Sequence, residues 1–185
     1  DKTNTNFFDA QLLLILDSLK RNDYAKAKIY IEKTMKLVGS DRFNLAILES
    51  LKQYIYVFKA NKILNDKKNL GKLSIISETF QRCYLGDEDT NIYFSNLIND
   101  DDADYTRYIF FYLSYLIEDN KIVEAKKIVE DLDYINTTLL LSQGKSWIQS
   151  NNTEKFSDVF SCKNPHDIVG EFLFLISNLY SSQDN

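Results

Sequence analysis

Proline, glycine, cysteine and histidine are all scarce in this sequence, and each scarcity excludes a class of fold or site. One proline and five glycines among 185 residues are too few for the many tight turns of an all-β domain. The two cysteines, Cys83 and Cys162, are too few for a disulfide framework and lack metal-ligand spacing. We expect two small buried apolar side chains, or a disulfide if the compartment is oxidising.

Patterns that carry catalysis or bind a cofactor are also missing. His166 is the only histidine and follows Pro165 at a helix start, where we expect a capping or surface role. The sequence has no glycine-rich phosphate loop, paired-cysteine motif or nucleophile elbow. It therefore predicts a protein that is not an enzyme, with no cofactor and no metal ion.

Three aspartates stand before the most aromatic stretch. Asp100, Asp102 and Asp104 alternate like the start of a calcium loop. That loop would need glycine and glutamate where Tyr105 and Phe111 stand, so the match fails. We expect Asp104 to cap the following helix instead.

The charge of the chain limits its partners. The formal net charge is −5 and the isoelectric point is about 5.0, which argues against nucleic acid, because phosphate binding needs a surface rich in Lys and Arg. The basic residues are scattered along the sequence and form no evident patch. No apolar run reaches the roughly 18 residues of a membrane span, so a protein or peptide is the expected partner.

Helical periodicity with short polar breaks predicts an all-α chain of antiparallel helix hairpins. We expect residues 1–185 to form a single repeat segment with five parts. These are a first hairpin at 7–38, irregular helices at 42–99, a second hairpin at 104–132, a third at 135–160 and an unpaired helix at 166–181. The last helix is apolar enough to need covering on two sides, which predicts a fragment of a longer array.

The helix in 104–132 is rich in aromatic residues that recur at helical spacing, so several share one face. Either a peptide-binding face or an inter-helix core would use such residues. Core packing is favoured for Phe111, Tyr112 and Tyr115, whereas Tyr108 is expected to be the exposed contact. The candidate partner-binding residues are Tyr105, Tyr108 and Tyr112.

Two turns share one pattern, since residues 19–27 align with residues 117–125. Each has Asn at the turn, a hydrophobic residue two positions later and Ala five positions later. A weaker third copy, 149–157, aligns Asn152 with the turn and Ser157 with the small position. We expect the Asn to close the first helix in a left-handed conformation and the small residue to allow close packing. The residues that would pack the repeats are Tyr24, Ala27, Ile122 and Ala125.

This pattern resembles the turn of the tetratricopeptide repeat, best matched by residues 22–27, with Asn in place of the usual Gly. The order of elements also resembles long tetratricopeptide-type proteins of alphaproteobacteria. The resemblance implies degenerate repeats stacked into a right-handed α-solenoid, a scaffold that binds a protein or peptide partner. It also implies the periplasm, with the cytoplasm as the alternative. A structural spacer, or a helical support for another domain of the full-length chain, is the alternative function, and the oligomeric state stays open.

Overall fold

The computed structural model describes residues 2–64, 71–100, 106–132 and 138–183, with side chains within 7–181 of those ranges. All regular structure in these ranges is helical, as the scarcity of turn-forming residues predicted. The elements are α1 (Lys2–Lys20), α2 (Tyr24–Leu37), α3 (Arg42–Ala60), α4 (Lys72–Leu85), α5 (Thr90–Ile98), α6 (Thr106–Glu118), α7 (Ile122–Asp131), α8 (Leu139–Gln149), a 3-10 turn (Thr153–Phe156) and α9 (Pro165–Gln183).

The chain divides into two compact units. Unit 1 comprises Asp1–Ser77 and Val169–Asn185, and unit 2 comprises Glu78–Ile168. The boundary falls within α4 and again within α9, so each of these helices contributes to both units. The sequence predicted one repeat segment and gave no sign of this division.

Left-handed asparagines close the first helix of two hairpins. The backbone φ angle is +57° at Asn22 and +59° at Asn120, which confirms the predicted conformation at both turns. The Asp23 N–H then donates to the Ser18 carbonyl at 2.9 Å. In the second hairpin, the Lys121 N–H donates to the Leu116 carbonyl at 2.7 Å. These bonds satisfy carbonyl groups that a helix end leaves without partners.

The third copy of the turn is shifted by one residue. The left-handed residue there is Asn151, with φ +56°, and not Asn152, which has φ −97°. The shift arises because α8 ends at Gln149 and Ser150 already serves as its C-cap. The alignment of this copy was therefore wrong by one position.

The third hairpin predicted at 135–160 has no second α-helix, because only the 3-10 turn forms after α8. The Ser114 hydroxyl of α6 donates to the Phe160 carbonyl at 2.7 Å. This bond gives a partner to the buried carbonyl at the end of the segment.

In unit 1, α2 packs against both α1 and α3, and α9 also lies on α3. The Phe172 ring of α9 is 5.7 Å from the Tyr54 ring, and the Tyr180 hydroxyl donates to Asn44 Oδ1 at 2.7 Å. Phe172 and Ile176 are buried. The helix that was predicted to be unpaired at 166–181 thus packs one side on α3, whereas Phe174 on the same helix is 43% exposed.

In unit 2, α6 is the central helix and contacts α5, α7, α8 and the 3-10 turn. Residues 110–116 of α6 are all buried. Gly144 allows α8 to pack close against α6, because a Cβ atom at this position would lie 2.9 Å from a ring carbon of Phe110. The aromatic helix therefore has neighbours on several sides, and its side chains form the core of unit 2.

A disulfide joins Cys83 at the end of α4 to Cys162 in the loop before α9, with the Cα atoms 5.8 Å apart. Both residues are buried, as predicted, but the expectation of two separate apolar side chains is wrong. The Lys163 ammonium group also donates to the Cys83 carbonyl at 2.7 Å. The bond and this contact hold two segments of unit 2 that lie far apart in sequence.

Candidate functional site

The predicted aromatic binding face lies in the core of unit 2. Tyr108 and Tyr112 are each only 5% exposed. The Tyr108 ring lies 6.0 Å from Phe80 of α4, and the Tyr112 ring stacks on Phe94 of α5 at 5.3 Å. The expectation that Tyr108 is exposed is wrong, because helices α4 and α5 cover this side of α6. Tyr105 lies outside the described residues.

The four residues predicted to pack the repeats occupy different environments. Ala27 and Ala125 are fully buried. Tyr24 is half-buried, with its ring 5.9 Å from Phe58 of α3. Ile122 is 39% exposed, so the expectation that it packs inward is wrong; as the first residue of α7, it lies at the solvent edge of its hairpin.

A groove on unit 1 is the first candidate binding site. It lies between α2 and α3 and has a volume of about 380 Å³, which falls within the usual size of ligand pockets. Its surface is almost entirely apolar. We name it the lysine groove after the three lysines among its lining residues, which are Lys28, Lys52, Ile55, Tyr56, Lys59, Ala60 and Leu64.

Helical periodicity brings the α3 residues of the lysine groove together. Lys52, Ile55, Tyr56, Lys59 and Ala60 stand at i, i+3, i+4, i+7 and i+8, so they share one face of α3. Ile55 is buried and forms the floor. Because little of the groove surface is polar, the lysines line it with their methylene stems and hold their ammonium groups at its solvent edge.

The lysines of the groove have weak partners within the protein. The Lys28 ammonium lies 3.7 Å from the Glu32 carboxylate, and the Lys52 ammonium lies 4.0 Å from the Glu49 carboxylate. Both distances are at the long end of the range for ion pairs. Lys59 makes no ion pair within the described part of the chain. Exposed pairs of this kind contribute little free energy, so these charges stay largely available to a partner.

A larger cleft on unit 2 is the second candidate, with a volume of about 600 Å³. We name it the polar cleft; it is lined by residues 86–88, the end of α6, the turn after α6 and residues 161–163. Its lysines are already bound. The Lys121 ammonium lies 2.7 Å from the Asp119 carboxylate, a hydrogen bond that raises the pKa of Lys121, and Lys163 is held by the Cys83 carbonyl.

Glu118 is the least satisfied group of the polar cleft. Burial raises the pKa of its carboxyl, although a hydrogen bond from Ser161 and the charge of Lys163 oppose that rise. Its Oε2 atom is buried and has no hydrogen-bond partner among the described residues. This carboxyl therefore keeps its proton to a higher pH than an exposed glutamate does.

The polar cleft and the lysine groove differ in how easily a partner could bind them. A charged ligand in the polar cleft would have to displace bonds that its lysines already make, which costs desolvation and broken hydrogen bonds. The lysine groove instead leaves apolar surface open to water, and covering that surface is favourable. We therefore take the lysine groove as the candidate functional site.

The lysine groove is not evident from the sequence, because its basic residues are scattered along the chain. The expectation that the basic residues form no patch is wrong for Lys28, Lys52 and Lys59, which two packed helices bring to one groove. A partial signal was present, since Lys52 and Lys59 flank Ile55 at helical spacing on α3. The contribution of Lys28 depends on the packing of α2 against α3, which no local pattern encodes.

The described ranges contain neither a cluster of metal ligands nor a candidate membrane span. No three His, Cys, Asp or Glu side chains there come together as a set of metal ligands. None of the helices in these ranges combines the length and the hydropathy that a membrane crossing requires. Comparison of the chain with protein-family models, with curated proteins and with solved structures found no match.

Proposed function

We propose that this chain is a helical interaction module that holds a short segment of a partner protein in the lysine groove. The observation that carries the proposal is the open apolar surface of the groove, presented by α2 and α3. Binding alone would be the activity, with no bond made or broken. Helices position such a surface well, because their backbone does not have to become ordered when the partner arrives.

The size of the groove sets the expected affinity. Burying one large apolar side chain contributes about 1.5–3 kcal/mol, and exposed charge pairs contribute roughly 0.2–1 kcal/mol each. Association costs several kcal/mol in lost freedom. A segment with one or two apolar anchors and a few charges is therefore expected to bind with a Kd in roughly the millimolar range, as suits a weak, reversible interaction.

The hairpins α1–α2 and α6–α7 support a repeat origin for this module. Both turn on a left-handed asparagine, and both bury an alanine five positions later, Ala27 and Ala125. We include in the proposal that they are degenerate tetratricopeptide-type repeats, stacked as a right-handed α-solenoid. A spacer or helical support domain is the competing function, and it requires no open groove.

The disulfide supports an oxidising compartment as the place of action. Disulfides between buried cysteines persist in secreted and periplasmic proteins and are rare in the reducing cytosol. The periplasm suggested by the family resemblance is compatible with this chemistry. Acid-quenched cells treated with a thiol-reactive mass tag test the inference. Cys83 and Cys162 should stay unlabelled until a reductant is added, and full labelling without reductant would place the chain in a reducing compartment.

A peptide-display selection tests the binding function. A library of short random peptides would be selected on the wild-type chain and counter-selected on Ala60→Trp, in which the new ring fills the lysine groove. Ala10→Trp adds the same ring to an exposed position of α1 and serves as the control. We expect peptides that bind the wild type and Ala10→Trp but not Ala60→Trp. If no groove-dependent peptide emerges, the spacer or support function is favoured.

A further inference from the structure

We infer that the occupant of the lysine groove is an acidic amphipathic helix of a partner protein. Its carboxylates meet Lys52 and Lys59, and an apolar side chain between them covers the open apolar surface of the groove. This inference rests on the proposed function of the groove and adds the chemistry and the conformation of the bound segment.

The spacing of the lysines favours a helical occupant. Lys52 and Lys59 are seven residues apart on α3, which corresponds to about 10 Å along the helix axis. A second helix places two residues of its own at the same separation on one face, with an apolar residue between them. An extended segment does not match, because residues about 10 Å apart in a strand are three positions apart and point to opposite faces.

The charge of unit 1 favours an acidic occupant. Unit 1 contains 14 basic and 10 acidic residues, a net charge of +4, although the whole chain has −5. Lys28 adds a third ammonium group from the α2 side of the groove. Because each exposed charge pair is weak, the lysines select and orient the segment, while an apolar anchor on the open surface of the groove holds it.

The same lysines fit a nucleic acid less well. Phosphate binding needs many cations with little apolar surface between them, whereas the floor of this groove is apolar. Stacking of bases needs open aromatic faces, and the one aromatic residue of the groove, Tyr56, is half-buried. An amphipathic helix uses both the apolar floor and the charged edge.

The groove-dependent peptides of the display selection give the first test. We expect them to carry two acidic residues seven positions apart with a large apolar residue between them. A matching synthetic peptide with two Glu residues and one Leu would then be titrated by fluorescence anisotropy. We expect Lys52→Glu/Lys59→Glu to weaken it roughly tenfold or more. Lys33→Glu/Lys36→Glu makes the same charge change on exposed positions of α2 outside the groove, and should have little effect.

A charge swap separates recognition from damage to the fold. The peptide with both Glu replaced by Lys should bind Lys52→Glu/Lys59→Glu better than it binds the wild type. Circular dichroism should show the same helix content in all variants.

Other results of these binding experiments would overturn either the acidic helix or the proposed function. Groove-dependent peptides that are neutral or basic, or a charge reversal without loss, overturn the acidic helix while the binding function stands. Groove-dependent binding of a single-stranded oligothymidine as tight as that of the peptide overturns the inference in favour of a polyanion. If no peptide depends on the groove, the proposed function itself fails.

Discussion

The two units of this protein carry charges of opposite sign. Unit 1 has a net charge of +4, whereas unit 2 has 8 basic and 17 acidic residues and a net charge of −9. The chain-wide value of −5 averages these and hides the basic unit. The net charge of a whole chain therefore says little about which partners one of its units can bind. The lysine groove lies on unit 1, whose positive charge the chain-wide value conceals.

The cores of the two units differ as well. Unit 2 has aromatic rings packed around α6 and a buried disulfide. Unit 1 buries polar side chains, including Glu171 and Tyr54, whose pKa is raised by burial. Within the described ranges, unit 1 buries an unpaired polar atom at three residues, Gln11, Ser50 and Gln53, and unit 2 at one, Glu118. Buried polar groups without partners cost stability, so we expect unit 2 to have the more stable core.

The largest expected effect is the loss of the disulfide from unit 2. The double substitution Cys83→Ala/Cys162→Ala should lower the free energy of unfolding by about 2–4 kcal/mol, because the bond closes a long loop in the unfolded chain. Trp147 is the only tryptophan and belongs to unit 2, so its fluorescence during urea unfolding reports the effect. The oxidised and reduced wild type provide the control, and equal midpoints would show that the bond adds no stability.

Overpacking the two hairpins should have the next largest effect. Ala27→Leu in unit 1 and Ala125→Leu in unit 2 each force a large side chain into a fully buried position, at a cost of about 1–3 kcal/mol. Thermal unfolding followed by circular dichroism measures both, and Ala10→Leu on the exposed side of α1 is the control. If both core variants melt like the parent, the hairpin packing described above is wrong.

Removing one tyrosine hydroxyl from each unit should lower the stability by a smaller amount, and the two losses can be compared directly. Tyr112→Phe loses a 2.7 Å hydrogen bond to Asn91, and Tyr180→Phe loses a 2.7 Å hydrogen bond to Asn44. Each should cost about 1 kcal/mol of stability or less. We expect the larger loss for Tyr112, because it is buried whereas Tyr180 is half-buried. The opposite order in urea unfolding would contradict these relative environments.

The smallest effect concerns Glu118 in the polar cleft. Burial raises the pKa of its carboxyl in the folded state, so ionising it costs stability as the pH rises through that folded pKa. Glu118→Gln should therefore be more stable than the wild type at neutral pH, by less than about 1 kcal/mol after screening. The difference should vanish near about pH 3, where both side chains are neutral. A gap that is constant with pH in thermal melts would exclude titration as its cause.

Local features of this protein were predictable from sequence, because they depend on neighbouring residues. The left-handed conformations at Asn22 and Asn120 and the burial of Ala27 and Ala125 follow from turn chemistry and helical spacing. The shift to Asn151 shows the limit, since a weak copy of the pattern does not fix where α8 ends.

Features that depend on tertiary packing were not predictable. A helix with apolar residues on several faces gives no sign of which face is exposed, so the burial of Tyr108 was missed. The cysteines of the disulfide are 79 positions apart, and only packing brings them together. The lysine groove likewise needs α2 beside α3, which places Lys28 with Lys52 and Lys59.

The most direct test of the central claim is to map where a selected peptide binds. Hydrogen–deuterium exchange of the whole chain, with and without a peptide from the display selection, measures protection at backbone amides. We predict protection within α2 and α3, at residues 24–37 and 42–60, and unchanged exchange around the polar cleft at residues 86–88, 115–121 and 161–163. Protection confined to the polar cleft would contradict the account, because the partner would then occupy the acidic unit.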